Sequence, residues 1–199
     1  MPTLRLSAIA LILANFVPVF GVLYWGWSVG SIIALYWAEN WVIGALNLPK
    51  MWMAKEGSRK SSFPLSLFFA VHYGFFTAIH GVFVFSLFGE GMAVFDLLPG
   101  GPLFLTLLIL ACSHTLSFIV NYWAGGEYKT RTVQKQMFRP YGRIVVLHIV
   151  ILAGGILVQS MGSPMPALLV LIGIKTVIDM LAHIKSHKMS NTDSVPAGG

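Results

Sequence analysis

Eight ionisable side chains lie within long apolar segments of this sequence. They are Glu39, His72, His80, His114, His148, Lys175, Asp179 and His183. An ionisable side chain inside a membrane costs roughly 2.5 to 3.5 kcal/mol on insertion scales, so a chain that carries several usually turns them toward partners or a cavity. These side chains are therefore the first candidates for function.

Imidazole and carboxylate groups on different helices can together hold a transition metal. A zinc or iron site takes several neutral nitrogen donors, one or two anionic oxygens and an open coordination position. The predicted metal ligands are His72, His114, His148, Asp179 and His183. A metal-bound water would supply a nucleophile, and the predicted catalytic residues are Glu39 and Lys175, with a free carboxylate as general base.

The depth of these residues favours a single site. Counting about 1.5 Å per residue from each predicted cytoplasmic end places five of them about 12 to 16 Å deep. The five are Glu39, His72, His114, His148 and Asp179. His80 lies about 12 Å further along its helix than His72 and is interpreted as a packing residue.

Charge and helical spacing add two expectations. With neutral histidines, Glu39 and Asp179 against Lys175 leave one negative charge in excess, which a bound cation would neutralise. Glu39, Asn47 and Lys50 form a stripe that can face the bundle interior.

The elements that position these residues are predicted to be membrane-spanning helices. Hydrophobic residues make up 56% of the 199 residues and charged residues 10%, and apolar segments of about 20 residues suffice to cross a hydrocarbon core of roughly 30 Å. The predicted spans are Leu4–Tyr24, Val29–Trp52, Phe63–Phe88, Pro102–Trp123, Tyr141–Met161 and Met165–His187. We therefore expect an all-α transmembrane bundle of six helices over residues 1–189, followed by a disordered polar tail over residues 190–199.

The basic residues predict the topology of the bundle. Lys and Arg fall on alternate loops, and the opposite loops carry only Glu90 and Asp96 as charged residues. The positive-inside rule then places both termini in the cytoplasm. The formal charge of +6 is explained by this topology and by contact with lipid headgroups, so no nucleic-acid partner is expected.

Five blocks of the sequence resemble an uncharacterised family of six-span prokaryotic membrane proteins, catalogued as a domain of unknown function. The blocks are ENWVIGALNLPKM (Glu39–Met51), HYGFFTAIHGVFV (His72–Val84), SHTLSFIVNYWAGGEY (Ser113–Tyr128), PYGRIVVLHIVILAGG (Pro140–Gly155) and KTVIDMLAHIKSH (Lys175–His187). The resemblance covers spans two to six. It implies a common fold and a multi-pass location in the prokaryotic inner membrane, and it implies no chemistry.

Two characterised groups are weaker analogies. Intramembrane metal hydrolases of the ceramidase and progestin-receptor type carry H-x-x-x-H on their last span, a spacing that His183 and His187 match. This chain has one predicted span fewer and lacks a clear S-x-x-x-H block, so the resemblance is an analogy only. Rhomboid proteases use a Ser/His pair, but their G-x-S-G is absent, and the adjacent Ser113 and His114 point about 100° apart on a helix.

Four functions stay open. The first is an intramembrane metalloprotein, an enzyme that acts on a lipid-like or membrane-dissolved substrate. The second is a proton-coupled or cation transporter that uses the same residues as a relay, although the two halves of the chain show no matching repeat. The third is a b-type haem protein, and the fourth is a structural bundle whose polar residues only form interhelical hydrogen bonds.

Overall fold

The computed structural model of the chain describes residues 23–24, 27–55, 62–89, 94–101, 103–163, 165–166, 168–174 and 176–177. Among these residues there are helices and loops but no strand. The α-helices are α1 (Val29–Met53), α2 (Ser62–Phe88), α3 (Phe104–Ser117), α4 (Val133–Phe138) and α5 (Tyr141–Met161). Helix α3 continues directly into a π-helix, Phe118–Ala124, and residues 168–174 are also helical.

Four of the described helical segments are long and apolar enough to cross a membrane. They are Val29–Met53, Ser62–Phe88, Phe104–Ala124 and Val133–Met161, and they coincide with the second to fifth predicted spans. Nearly all of the first predicted span, about half of the sixth and the whole polar tail lie outside the described residues. The count of six spans and the cytoplasmic position of the termini therefore stay predictions.

Helices α1 and α2 are antiparallel neighbours. Ser28 caps α1 by accepting a hydrogen bond from the Ser31 amide at 3.4 Å, as serine commonly does at this position. Further along, Trp37 Nε1 donates to the Thr77 carbonyl at 2.7 Å, and the Tyr73 hydroxyl donates to the carbonyl of Asn40 at 3.4 Å. The later residue of α1, Asn40, contacts the earlier residue of α2, Tyr73, so the two helices run in opposite directions.

Two glycines let aromatic rings lie directly against the backbone of the neighbouring helix. A Cβ on Gly81 would lie 2.5 Å from Cζ2 of Trp37, and a Cβ on Gly44 would lie 2.7 Å from Cε1 of Tyr73. Both distances are too short for a side chain. Small residues are the usual means by which membrane helices approach each other closely.

Helices α2 and α5 run in the same direction. His72 contacts Tyr141 across a separation of 69 residues, and His80 contacts His148 across 68 residues. The pairing continues where Leu87 lies against Gly155. A constant separation between partners is the signature of parallel helices, and it agrees with the alternating directions that the predicted topology requires.

The apolar core forms two clusters that leave a polar interval between them. One cluster takes Ile33 and Trp37 from the first half of α1 together with Val84 and Leu147. The other begins at Met51, near the end of α1. Residues 39–50 of α1 therefore lie largely between the clusters, and Glu39, Asn40 and Asn47 make their polar contacts there.

We expect Gly81→Val to destabilise the protein by about 1 to 3 kcal/mol, because the added side chain must displace the Trp37 ring, which its hydrogen bond to Thr77 holds in place. The matched control is Gly142→Val, since nothing lies within 4 Å of a Cβ at that position. Thermal unfolding of the detergent-purified proteins measures the difference. Equal melting temperatures for the two variants would contradict this account of the α1–α2 contact.

Candidate functional site

The carboxylate of Glu39 is held by side chains from two other helices. Its Oε1 accepts a hydrogen bond from Nε2 of His114, on α3, at 2.6 Å. Its Oε2 accepts from Nη2 of Arg143, on α5, in a close ion pair. The Glu39 side chain is only 14% exposed. These three residues, which we call the Glu39 centre, join α1, α3 and α5.

The chain changes from α-helix to π-helix four residues after His114. His114 is in the last turn of α3, and the amide of Phe118 reaches the carbonyl oxygens of both His114 and Thr115. The chain then continues as the π-helix Phe118–Ala124. Such wide turns are costly inside an α-helix and are frequently found at functional sites.

Arg143 is positioned by the start of α5. It lies in the first turn of the helix, after Pro140, and its amide donates to the Pro140 carbonyl at 3.1 Å. The guanidinium carbon lies 4.7 Å from the centre of the Tyr36 ring, an arrangement in which the ring face attracts the cation. Arg143 is thus held between a carboxylate and an aromatic ring of α1.

A cavity of about 250 Å³ adjoins the Glu39 centre. Its polar lining residues are Asn47, Lys50, His114, Gln136, Arg139 and Arg143. We call this space the cationic cavity. The predicted stripe of Glu39, Asn47 and Lys50 agrees with this arrangement, since its last two members line the cavity and its first contacts His114 and Arg143.

Asn47 and Gln136 join α1 to α4 beside the cavity. Gln136 Nε2 donates to Asn47 Oδ1 at 2.6 Å, and Asn47 Nδ2 donates to the Gln136 carbonyl at 3.2 Å. Both side chains are buried, Gln136 with 1% of its surface exposed. Within the described residues, Oε1 of Gln136 has no donor and Nε of Arg143 has no acceptor.

A second carboxylate, outside the membrane-spanning helices, binds two arginines near the cavity. Glu127 Oε1 accepts from Arg131 Nη2 at 2.5 Å and from Arg139 Nη1 at 3.0 Å. Burial raises the pKa of the Glu127 carboxyl, but the hydrogen bond from Arg131 and the charges of both arginines outweigh burial and bring the pKa below its ordinary value. The group is therefore ionised at neutral pH.

The remaining described histidines form two contacts between α2 and α5. His72 Nδ1 lies 3.0 Å from the Tyr141 hydroxyl. His80 Nε2 lies 3.0 Å from His148 Nδ1, and His80 Nδ1 lies 2.6 Å from the Phe76 carbonyl. Because a carbonyl only accepts, His80 Nδ1 donates to Phe76, and in the neutral pair His148 Nδ1 donates to His80 Nε2. This leaves His148 Nε2 as an open acceptor on an exposed side chain.

The predicted ligands His72, His114 and His148 are not brought together. Each makes its polar contact with a different residue: Tyr141, Glu39 and His80 respectively. A depth count gives the height of a side chain but not the direction in which it points. The partner of His148 is His80, which the same count had placed on another level. Within the described part of the chain, no three His, Cys, Asp or Glu side chains lie close enough to hold a metal ion.

Three other predicted site residues, Lys175, Asp179 and His183, lie outside the described residues. The zinc or iron site to which they were assigned, and the haem alternative, therefore stay predictions.

Arg143 is the residue of this candidate site that the sequence analysis missed. The sequence analysis interprets the Lys and Arg residues together as markers of topology, although Arg143 lies inside the predicted fifth span, Tyr141–Met161. Its position in the span was the signal that could have identified it. Counting Arg143 with Lys175 against Glu39 and Asp179 cancels the predicted excess of one negative charge.

The sequence of the whole chain decides its family. A family model described as "Family of unknown function (DUF6498)" matches residues 2–195. The chain belongs to DUF6498. This confirms the expected membership of a domain of unknown function, and the family carries no assigned chemistry. No curated protein and no solved structure matches the chain.

We expect Glu39→Gln and Arg143→Gln to destabilise this DUF6498 protein by about 1 to 3 kcal/mol each, because each change leaves one partly buried charge without its partner. The double variant should lose less than the sum of the two, with a coupling of about 0.5 to 3 kcal/mol. Thermal unfolding of all four proteins in the same detergent measures the cycle. Strictly additive losses would show that the ion pair contributes nothing to the fold.

We expect the stabilising effect of Glu127 to depend on pH. Its pKa is lowered from the ordinary value of 4.5 on folding, so its contribution is complete above that value and is lost as the pH falls through the lower, folded value. The melting-temperature difference between the natural protein and Glu127→Gln, measured from about pH 7 to about pH 3, should shrink toward zero at the acid end. A difference that stays constant over this range would exclude an ionised Glu127 as its cause.

Proposed function

We propose that this protein is a proton-coupled membrane transporter in which Glu39 is the group that takes up and releases the proton. One observation carries the proposal: a carboxylate within a membrane-spanning helix binds His114 and Arg143 from two other helices, beside a polar cavity. Ionisable residues in such positions typically mark proton relays or transport pathways. The proposed location is the inner membrane of a prokaryote, following the resemblance described above.

The Glu39 centre can exist in two states that differ in helix contacts. While Glu39 is ionised, its carboxylate attracts Arg143 and accepts a hydrogen bond from His114, and α1, α3 and α5 are held together. Protonation removes the charge, so the attraction to Arg143 weakens and the guanidinium can turn toward the cavity that it lines. A proton equilibrium is thereby coupled to a change in helix packing.

His114 is suited to move the proton. It contacts Glu39 through Nε2 and also lines the cationic cavity. Histidine exchanges protons near neutral pH more readily than any other side chain. We infer the route from the cavity to His114 and from there to Glu39.

The charge of Arg143 argues against a metal at the Glu39 centre. Arginine stays protonated under all physiological conditions, and both oxygens of Glu39 already accept hydrogen bonds. A divalent cation at this carboxylate would have to displace the guanidinium or bind beside it against its repulsion.

One observation supports a second candidate function. In this alternative the protein holds a metal or haem and acts on a lipid-like substrate. His148 presents an open Nε2, while its Nδ1 donates to His80. Metal-ligating histidines commonly have their second nitrogen fixed by such a hydrogen bond. A ligand set would need further donors from the part of the chain that the structure does not describe.

We expect proton movement in proteoliposomes when the transported solute is supplied. Vesicles that contain a pH-sensitive dye receive gradients of one solute at a time, including inorganic phosphate, small carboxylates and alkali cations. A coupled solute changes the internal pH, Glu39→Gln abolishes the change, and Lys135→Gln, which alters an exposed side chain outside the cavity, preserves it.

Two results would contradict the transporter. One is a Glu39→Gln protein that moves protons as well as the natural protein. The other is about one equivalent of zinc, iron or haem in the purified protein, lost on His148→Ala, together with no response to any solute; this result would favour the second candidate.

A further inference from the structure

We propose that the cationic cavity is a binding site for a phosphate group, carried either by a free phosphate or by an anionic lipid headgroup. The inference names the solute class of the proposed transporter and in that respect rests on it. The charge around the cavity, its size and two unpaired polar atoms of its lining residues support the binding site independently of transport.

Positive charge is in excess around the cavity. Three cationic side chains line it, Lys50, Arg139 and Arg143, and a fourth, Arg131, shares the Glu127 carboxylate with Arg139. Only two carboxylates, Glu39 and Glu127, contact them within the described chain. Two positive charges therefore remain without a counter-charge, and interactions with an anion are stronger here than in water because the surrounding helices lower the local dielectric. Basic pockets between membrane helices are known to bind phosphate-bearing headgroups.

Lys50 supplies a cation that forms no ion pair with any carboxylate of the described residues. Its Nζ lies 5.6 Å from the centre of the Tyr122 ring and 5.9 Å from that of Phe118. The Tyr122 hydroxyl donates to the Lys50 carbonyl at 2.7 Å, which ties the aromatic residue to the same turn. The rings thus hold the ammonium group in place while its three hydrogens can still donate to an oxyanion.

Two unpaired polar atoms indicate that the ligand carries a donor as well as negative oxygens. Gln136 Oε1 and Arg143 Nε belong to residues that line the cavity, and neither atom has a partner among the described residues. A buried polar group without a partner costs about 1 to 3 kcal/mol. Both atoms are shielded from solvent, so they reach a ligand when their side chains turn toward the cavity. A phosphate with one remaining P–OH, or a phosphate ester with a neighbouring hydroxyl, can then donate to the glutamine and accept from the arginine. A simple carboxylate has no such donor, which is why we favour phosphate.

The size of the cavity agrees with a small group. Its volume of about 250 Å³ lies below the roughly 300 to 1,000 Å³ that is typical of sites for drug-sized ligands. A headgroup or a small phosphate compound fits this range better than a large organic substrate.

Phosphate binding is linked to the proton site through Arg143. A phosphate that draws the guanidinium into the cavity competes with Glu39 for the same cation. Loss of that cation favours the protonated carboxyl, so binding of phosphate and protonation of Glu39 support each other. Linkage requires this effect to be reciprocal.

The test is calorimetric titration of the detergent-purified full chain with inorganic phosphate, with sodium chloride at equal ionic strength as reference. The natural protein should bind phosphate, and Lys50→Gln should weaken the affinity about 10-fold or more, as expected for loss of a charge-assisted hydrogen bond. Lys50→Arg keeps the charge and should retain binding. Lys135→Gln is the matched control, because Lys135 precedes Gln136 on α4, is exposed and does not line the cavity.

A second experiment, with lipids, distinguishes a lipid headgroup from a free phosphate as the source of the phosphate group. Native mass spectrometry with phosphatidic acid and with phosphatidylcholine should show a preference for phosphatidic acid that Lys50→Gln removes if a headgroup occupies the cavity. Binding of inorganic phosphate without this preference assigns a free phosphate. Lys50-independent binding of both probes, or binding of neither, overturns the proposal.

The same measurements separate the two proposals. Phosphate binding that depends on Lys50, in a protein that moves no protons in proteoliposomes, would leave the cavity site standing and remove the transporter. Proton movement driven by another solute, without phosphate binding, would support the transporter and contradict the phosphate site.

Discussion

The contact between Glu39 and Arg143 is the interaction on which the described arrangement of helices depends. Neither charge can be left alone in a low-dielectric interior, because the cost of an unpaired buried ion exceeds what ordinary packing contributes. The carboxylate is on α1 and the guanidinium on α5, so the two helices must approach at this height. His114 brings α3 to the same carboxylate. Apolar packing on either side, around Ile33 and around Met51, then closes over this contact.

The same contact explains why the cavity lies where it does. The first helical turn of α5 must present Arg143 to α1, and the short helix α4, just before it in sequence, is then drawn against Asn47 through Gln136. Arg139 and Lys50 border the space that remains between these elements. A cavity rich in cations is thus a direct result of pairing one intramembrane carboxylate with an arginine that lies beside other basic residues.

The membrane-spanning helices were predictable from the sequence, because a span is recognised from the mean hydropathy of about 20 residues. An error of a few residues at either end changes that mean little. The stripe of Glu39, Asn47 and Lys50 was also predictable, because the geometry within one helix is fixed by its backbone. The contacts of His72, His114 and His148 were not. An error of one residue in helix rotation turns a side chain by about 100°, and the rotation is set by packing between helices, such as the ring of Trp37 against Gly81.

The π-helix after His114 has a mechanical consequence. A π-helical turn holds one more residue than an α-helical turn, so converting it to regular α-helix would rotate the preceding segment by about 100° relative to the following one. His114 lies before this turn, whereas Tyr122, which is bonded to the Lys50 carbonyl, lies within it. Such a conversion would turn the imidazole of His114 away from Glu39, while the hydrogen bond from Tyr122 to the Lys50 carbonyl would keep the far end of the helix against α1.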